Sequence, residues 1–143
     1  MPMNKVTVAA AQWQKNNADI RRIRESVFIV EQSVPAELEW DAEDADAVHF
    51  LAYEGDYAIG TARLLNGGEI GRLSVLKDWR GLRVGEMLLE AVLLEAEKRG
   101  FTTLRLSAQV QAVEFYQRYG FQITSKEFLE AGLPHVDMLR QEA

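Results

Sequence analysis

The stretch from Ile70 to Gly100, IGRLSVLKDWRGLRVGEMLLEAVLLEAEKRG, constrains this chain more than any other. The apolar run IGRLSVL reads as a strand, and RGLRVG breaks it with two glycines. From Val84 to Arg99 apolar residues recur at helical spacing, and Gly100 stands where a helix stops. TTLRLS follows at once as another strand. A strand, a helix and a strand in this order need a right-handed crossover, so the two strands are expected to be parallel.

The rest of the chain alternates around that unit without repeats. VTVAA reads as a short strand, and NADIRRIRESVFIVEQ as a helix carrying Ile20, Ile23, Val27 and Phe28, capped by Asn17 or Asp19 and ended by Pro35. AVHFLAYEGDYAIGTARLLNGGEIGRLSVL divides into three strands at the turns Glu54-Gly55-Asp56 and Asn66-Gly67-Gly68, which suit antiparallel neighbours. QAVEFYQRY reads as a short helix closed by Gly120, with FQIT and HVDMLR as two last strands. The expected class is α/β (α+β): a mixed, mostly antiparallel sheet with a central parallel strand pair and helices on both faces. At 143 residues and 48% apolar, one domain spanning 1–143 is expected.

Composition removes several chemistries. There is no cysteine, so disulfides, thiolate metal sites and a cysteine nucleophile are excluded. With only two histidines, in unrelated contexts, an imidazole metal site is not expected. A net charge of −6 argues against nucleic-acid binding. MPMNKVTVAAAQWQKN has the pattern of neither a signal peptide nor a membrane span, which makes a cytoplasmic protein the default expectation. Monomer and homodimer both stay open, since apolar residues on the last strands offer a pairing surface.

Charge is unevenly spread. Glu37, Glu39, Asp41, Glu43, Asp44 and Asp46 form an acidic stretch without a basic residue, read either as a solvated loop or as an attractor of a cationic amine. Arg72, Lys77, Arg80 and Arg83, against Asp78 alone, surround the glycine turn. Helix-start amides there lack intrahelical partners and suit an anion, a pyrophosphate above all; the plain alternative is a tight connection.

RGLRVG resembles the pyrophosphate loop of the GNAT superfamily of N-acetyltransferases, Gln/Arg-x-x-Gly-x-Gly/Ala, with Arg80 in the first place and Gly85 in the last. AVEFYQRYGF is similar to that family's later FYxxxGF helix, and ESVFIVEQSVPAELEWD and EFLEAGLPHVDM resemble a bacterial ElaA-like subgroup. The resemblance implies acetyl-CoA as co-substrate, no metal, and a small-molecule or peptide amine as acceptor, with direct attack in a ternary complex. A noncatalytic acyl-CoA sensor is the rival reading.

The resemblance also implies roles. Leu73, Ser74 and Val75 would line the pantetheine arm, with backbone amides near Leu73 and Val75 polarising the thioester carbonyl. Gly81, Leu82, Val84 and Gly85, with Arg80 and Arg83, would hold the pyrophosphate. Arg83 departs from the loop's usual glycine, so ordinary helical angles are expected there, with a side chain that reaches a phosphate or pairs with Glu86. Ser107 would contact a pantetheine amide, a task Gln109 and Gln111 share. Tyr116 would contact the coenzyme and protonate the departing sulfur, or else only pack beside Phe115 and Tyr119.

Glu69 lies six residues before Val75, so period-two alternation puts it on one face with Gly71, Leu73 and Val75. It reads as the general base or as a solvated carboxylate at a strand start. Glu31, Gln32, His49 and His135 are candidates for the acceptor side, the two histidines also as bases acting through water.

Overall fold

The computed structural model describes residues 5–142; Met1–Asn4, part of the stretch read for a leader, lie outside them. Four antiparallel strands form one sheet in the order β1-β2-β3-β4: β1 (Val6–Ala11), β2 (Val48–Glu54), β3 (Tyr57–Leu64) and β4 (Ile70–Val75). The second sheet runs β5 (Thr103–Gln109), β8 (Leu133–Gln141) and β6 (Gln122–Ile123), with β7 (Phe128–Glu130) also pairing β8.

Helix α3 (Val84–Lys98) connects the sheets, starting and stopping where the sequence indicates, with Gly100 at φ +75° just beyond it. It buries Val84, Leu88, Leu89, Val92 and Ala96 against Phe50, Ala52, Ala62 and Leu64 of the first sheet. Helix α1 (Trp13–Arg24) covers the other face, where Ile20 and Ile23 meet Leu51, Ala58 and Leu76. Phe50 and Ala52 face one helix and Leu51 the other, so the central strands are buried on both sides. No helix of the described residues is long and apolar enough to cross a membrane.

Helix α1 starts four residues before the sequence reading. Neither Asn17 nor Asp19 caps it; the Asn16 side chain accepts from Gln12 N–H at 3.0 Å, and Asn17 instead donates to Trp13 O at 2.8 Å. Beyond Arg24 the helix widens into a π-helical segment, Glu25–Glu31, followed by short helix α2 (Ala36–Glu39) and a 3₁₀ turn, Ala42–Ala45. The short helix of QAVEFYQRY is a 3₁₀ turn plus α4 (Val113–Gln117).

The two sheets meet at one end only. Arg105 N–H donates to Gly68 O at 3.0 Å, and Glu69 and Arg105 form a single parallel bridge. Gly68 permits this approach: it sits at φ +89°, and a Cβ there would lie 2.5 Å from Thr103 O. From that closed end β4 and β5 diverge.

β4 also contains a bulge. Leu64 and Arg63 pair with Ile70 and Gly71, while Thr61 and Gly60 pair with Ser74 and Val75, so Ala62 is opposed by both Arg72 and Leu73. Arg72 takes a left-handed backbone, φ +55°. The bulge corrects the phase expected for Glu69: Glu69 and Gly71 alternate together, but Leu73 and Val75 fall in the opposite phase.

Candidate active site

Between the diverging strands lies a cleft of about 1110 Å³, walled by β4, the start of α3, the end of β5, α4, the π-helical segment and the β7–β8 hairpin. The bulge decides what β4 presents to it. Glu69 O accepts from Leu65 N–H at 2.8 Å, whereas Leu76 N–H donates to Ile59 O at 2.9 Å. Residues facing β3 are therefore odd-numbered before the bulge and even-numbered after it. The amides of Leu73 and Val75 are left on the open edge, turned toward the splay. A Cβ on Gly71, in the same wall, would meet nothing within 4 Å.

At the far end of β4 the chain turns through Lys77–Trp79 and Gly81, which needs its glycine for φ +78°. The first backbone hydrogen bond of α3 runs from Met87 N–H to Arg83 O at 3.1 Å, so the amides of Val84, Gly85 and Glu86 have no intrahelical partner. Val84 and Gly85 line the cleft. Leu82 does not: its side chain points to solvent, 44% exposed, leaving only its backbone near the loop.

The backbone of Arg83 departs from expectation. Arg83 is left-handed, φ +68° and ψ +15°, not helical. This is the conformation for which the loop's usual glycine is suited, and arginine adopts it at a cost of about 1 kcal/mol. Its exposed guanidinium pairs with Glu86, Nε to Oε2 2.6 Å. Arg83→Gly is expected to leave stability unchanged or to raise it by up to about 1 kcal/mol in urea unfolding, relief of strain outweighing the flexibility added to the unfolded chain. A clear loss would show that the Glu86 pair outweighs the strain.

Arg80 is occupied. Its Nη atoms grip both oxygens of Glu31 at 2.9 and 2.6 Å, and its Nε donates to Val75 O at 2.9 Å. The hydrogen bonds from Arg80 hold the Glu31 carboxyl below its ordinary value. Glu31 lies outside the cleft wall and ties the π-helical segment to the loop. Gln32 does line the cleft, accepting from Gln109 at 2.9 Å.

Tyr116, on α4, lines the cleft with edge-on contacts to Phe115 and Phe121, ring centroids 5.1 and 6.0 Å away. Its hydroxyl has no hydrogen-bond partner among the described residues, and desolvation pushes its pKa up to about 12. Ser107 and Ser74 are in the wall too, Ser107 donating to Asp137 at 2.9 Å and Ser74 to Arg72 O at 3.3 Å. Glu69 lies exposed at the closed end.

The histidines separate. His135 is in the wall, its Nδ1 donating to Leu133 O at 2.7 Å, which leaves the Nε2 lone pair free, 3.7 Å from Glu130. His49 is outside the wall and 1% exposed, with Nε2 donating to Asp44 O at 2.8 Å, so it cannot meet an acceptor. Burial pushes its pKa down and keeps it neutral.

The acidic stretch is only in part a solvated loop: Glu37, Asp41, Glu43 and Asp46 are exposed, but the other two carboxylates are not. Glu39 and Asp44 are buried on Arg24, whose Nε and Nη1 reach them at 2.7 Å each; Arg63 joins Asp44 and Asp41 at 3.0 and 2.8 Å. Arg72 joins Glu39 and Asp41 at 3.3 Å. Three guanidinium groups thus neutralise three carboxylates. Sequence reading missed these pairs because their members lie far apart along the chain.

Strand amides on an open edge, unpartnered helix amides beyond them and a free tyrosine hydroxyl in one cleft fit an acyl-coenzyme A, and with the splayed sheets they define a coenzyme A-dependent acyltransferase. The family model of the acetyltransferase (GNAT) domain matches residues 9–141, and the chain belongs to that family. YjcF of Bacillus subtilis, named as an N-acetyltransferase, is 39% identical over 134 residues, 91% of this chain and 96% of the relative. ElaA of Escherichia coli is 30% identical over 128 residues, 84% of each chain; its crystal structure matches with a TM-score of 0.85 over 94% of this chain and 99% of that one. The crystal structure of an acyl-CoA N-acyltransferase from Pseudomonas aeruginosa, 30% identical, matches with a TM-score of 0.84 over 95% of this chain and 99% of that one.

Proposed function

We propose that the protein transfers an acetyl group from acetyl-CoA to a primary amine of a small molecule or peptide by direct attack in a ternary complex. The observation that carries this reading is the bulge in β4, which turns the Leu73 and Val75 amides into the cleft that Tyr116 also lines. Those amides polarise the thioester carbonyl, and the amides at Val84–Glu86 hold the pyrophosphate. The amine nitrogen bonds to the carbonyl carbon, the carbon–sulfur bond breaks, and Tyr116 gives its proton to the sulfur. Direct attack agrees with a chain that has no cysteine to carry the acetyl group.

Glu69 takes the amine's proton as general base, or His135 does so through water; both line the cleft. The Nδ1 of His135 is taken up by Leu133 O, so its Nε2 is the nitrogen available for that task.

The test of the coenzyme site is calorimetric titration with acetyl-CoA. Arg80→Glu is unsuited as a negative control, because it would break the grip on Glu31. Gly85→Glu is better: a Cβ there meets only Phe115 and Val75, at 3.8 and 4.0 Å, so the fold accepts it while a carboxylate enters the amide cluster. Saturable binding by the wild type and none by Gly85→Glu is expected. A wild type that fails to bind at millimolar acetyl-CoA would sink the reading.

A further inference from the structure

A left-handed arginine inside a strand costs about 1 kcal/mol or more and persists only where its surroundings over-determine it. Around Arg72 they do. Its Nη2 donates to Leu38 O at 3.4 Å, Glu39 O at 3.2 Å and Asp41 Oδ2 at 3.3 Å, while Nε lies 3.3 Å from Glu39 Oε2. Its two carboxylate partners are themselves fixed. Arg24 holds Glu39 at both the side chain, 2.7 Å, and the backbone carbonyl, 2.6 Å; Arg63, from the strand beside the bulge, holds Asp41 at 2.8 Å.

Burying four charged groups, Arg24, Glu39, Asp44 and Arg63, with Arg72 and Asp41 at their edge, is a poor way to gain stability, since desolvation consumes most of the attraction. Such a cluster is better suited to fixing one geometry. Here it fixes the segment that walls the cleft at Leu38 and Glu39 to the single residue whose backbone shifts the phase of β4.

We propose that Arg72, held by Glu39 and Asp41, is a positioning residue for acyl transfer: its clamp maintains the bulge that turns the Leu73 and Val75 amides toward the acyl carbonyl. The inference rests on the reading of those amides given above. Without the clamp the strand is free to relax toward regular pairing, which turns the same amides toward β3. Coenzyme binding at Val84–Glu86 is then retained while polarisation is lost.

The experiment uses acetyl-CoA labelled with carbon-13 at the carbonyl, bound to the full chain and observed by NMR. Arg72→Ala keeps the strain of the left-handed backbone and removes the clamp; Glu39→Gln keeps the partner's shape and replaces Arg72→Ala if that variant does not fold. In the wild type the carbonyl resonance is expected to move downfield on binding. In the variant it moves back toward the free value at a Kd within about threefold of wild type, and kcat with an accepted amine falls about 10- to 100-fold with little change in the amine's KM. A variant with the wild-type shift and kcat overturns the clamp and leaves the amide reading standing. A wild-type carbonyl that binding does not shift overturns the amide reading, and the clamp with it.

Discussion

Tyr116→Phe is expected to lower kcat about 10²- to 10⁴-fold while leaving the Kd for acetyl-CoA within a factor of about two, the range for loss of a positioned general acid. The hydroxyl has no structural partner to lose among the described residues, and the ring keeps its edge contacts with Phe115 and Phe121, so phenylalanine fills the same space. Burial is what suits it for the task. With a pKa near 12 the hydroxyl stays protonated throughout the physiological range, as a general acid must.

The pH profile follows from the sign of that shift. An acid raised to about 12 is lost only as pH climbs past that value, so Tyr116 imposes no falling alkaline limb below about pH 11. Any limb at lower pH belongs to another group and should survive in Tyr116→Phe. Steady-state kinetics with calorimetry decides the matter: unchanged turnover in the variant removes Tyr116 as the acid, and lost coenzyme binding makes it a packing residue. An acyl-CoA sensor would bind alike in both forms and turn over in neither.

What the sequence revealed, and what it concealed, divides by range of interaction. The limits of α3 were legible because its stop signal, Gly100, acts locally, and the Glu95–Arg99 pair at 2.8 Å follows from helical spacing alone. The strand turns at Gly55 and Gly67-Gly68 were legible for the same reason. Nothing local marks Arg72 as left-handed, since arginine carries no turn signal, and so the bulge and the true phase of Glu69 stayed hidden. Arg83 misled in the opposite direction: its identity argued for helical angles, yet the loop retained the backbone of the glycine it lacks. The β7–β8 turn, Ala131-Gly132, has both residues at positive φ, but alanine obscured that signal and β7 was missed. Most concealed of all was the acidic stretch, whose composition suggested a solvated loop while its partners waited on α1, β3 and β4.

That concealed cluster carries the largest expected effect on stability. Arg24→Met keeps much of the side chain's volume but strands Glu39 and Asp44, both 3% exposed or less, without their shared cation. Breaking a buried pair from one side costs about 3–5 kcal/mol, a large share of the 5–15 kcal/mol that usually holds a domain together. The pH dependence separates charge from packing. Burial already holds Glu39 above its ordinary value; burial is also the largest single influence on Asp44 and raises it, but the hydrogen bonds and attraction of Arg24, together with the Asp41 amide and Arg63, bring it below. Removing Arg24 raises both. A carboxylate whose folded pKa lies above its unfolded value destabilises in full above the folded pKa and is relieved as pH falls through it. The stability difference between wild type and Arg24→Met should therefore be largest near pH 7 and narrow toward pH 4, measured by urea unfolding across that range. A loss of the same size at every pH would assign the damage to a packing defect, and the charges of Glu39 and Asp44 would then have no part in it.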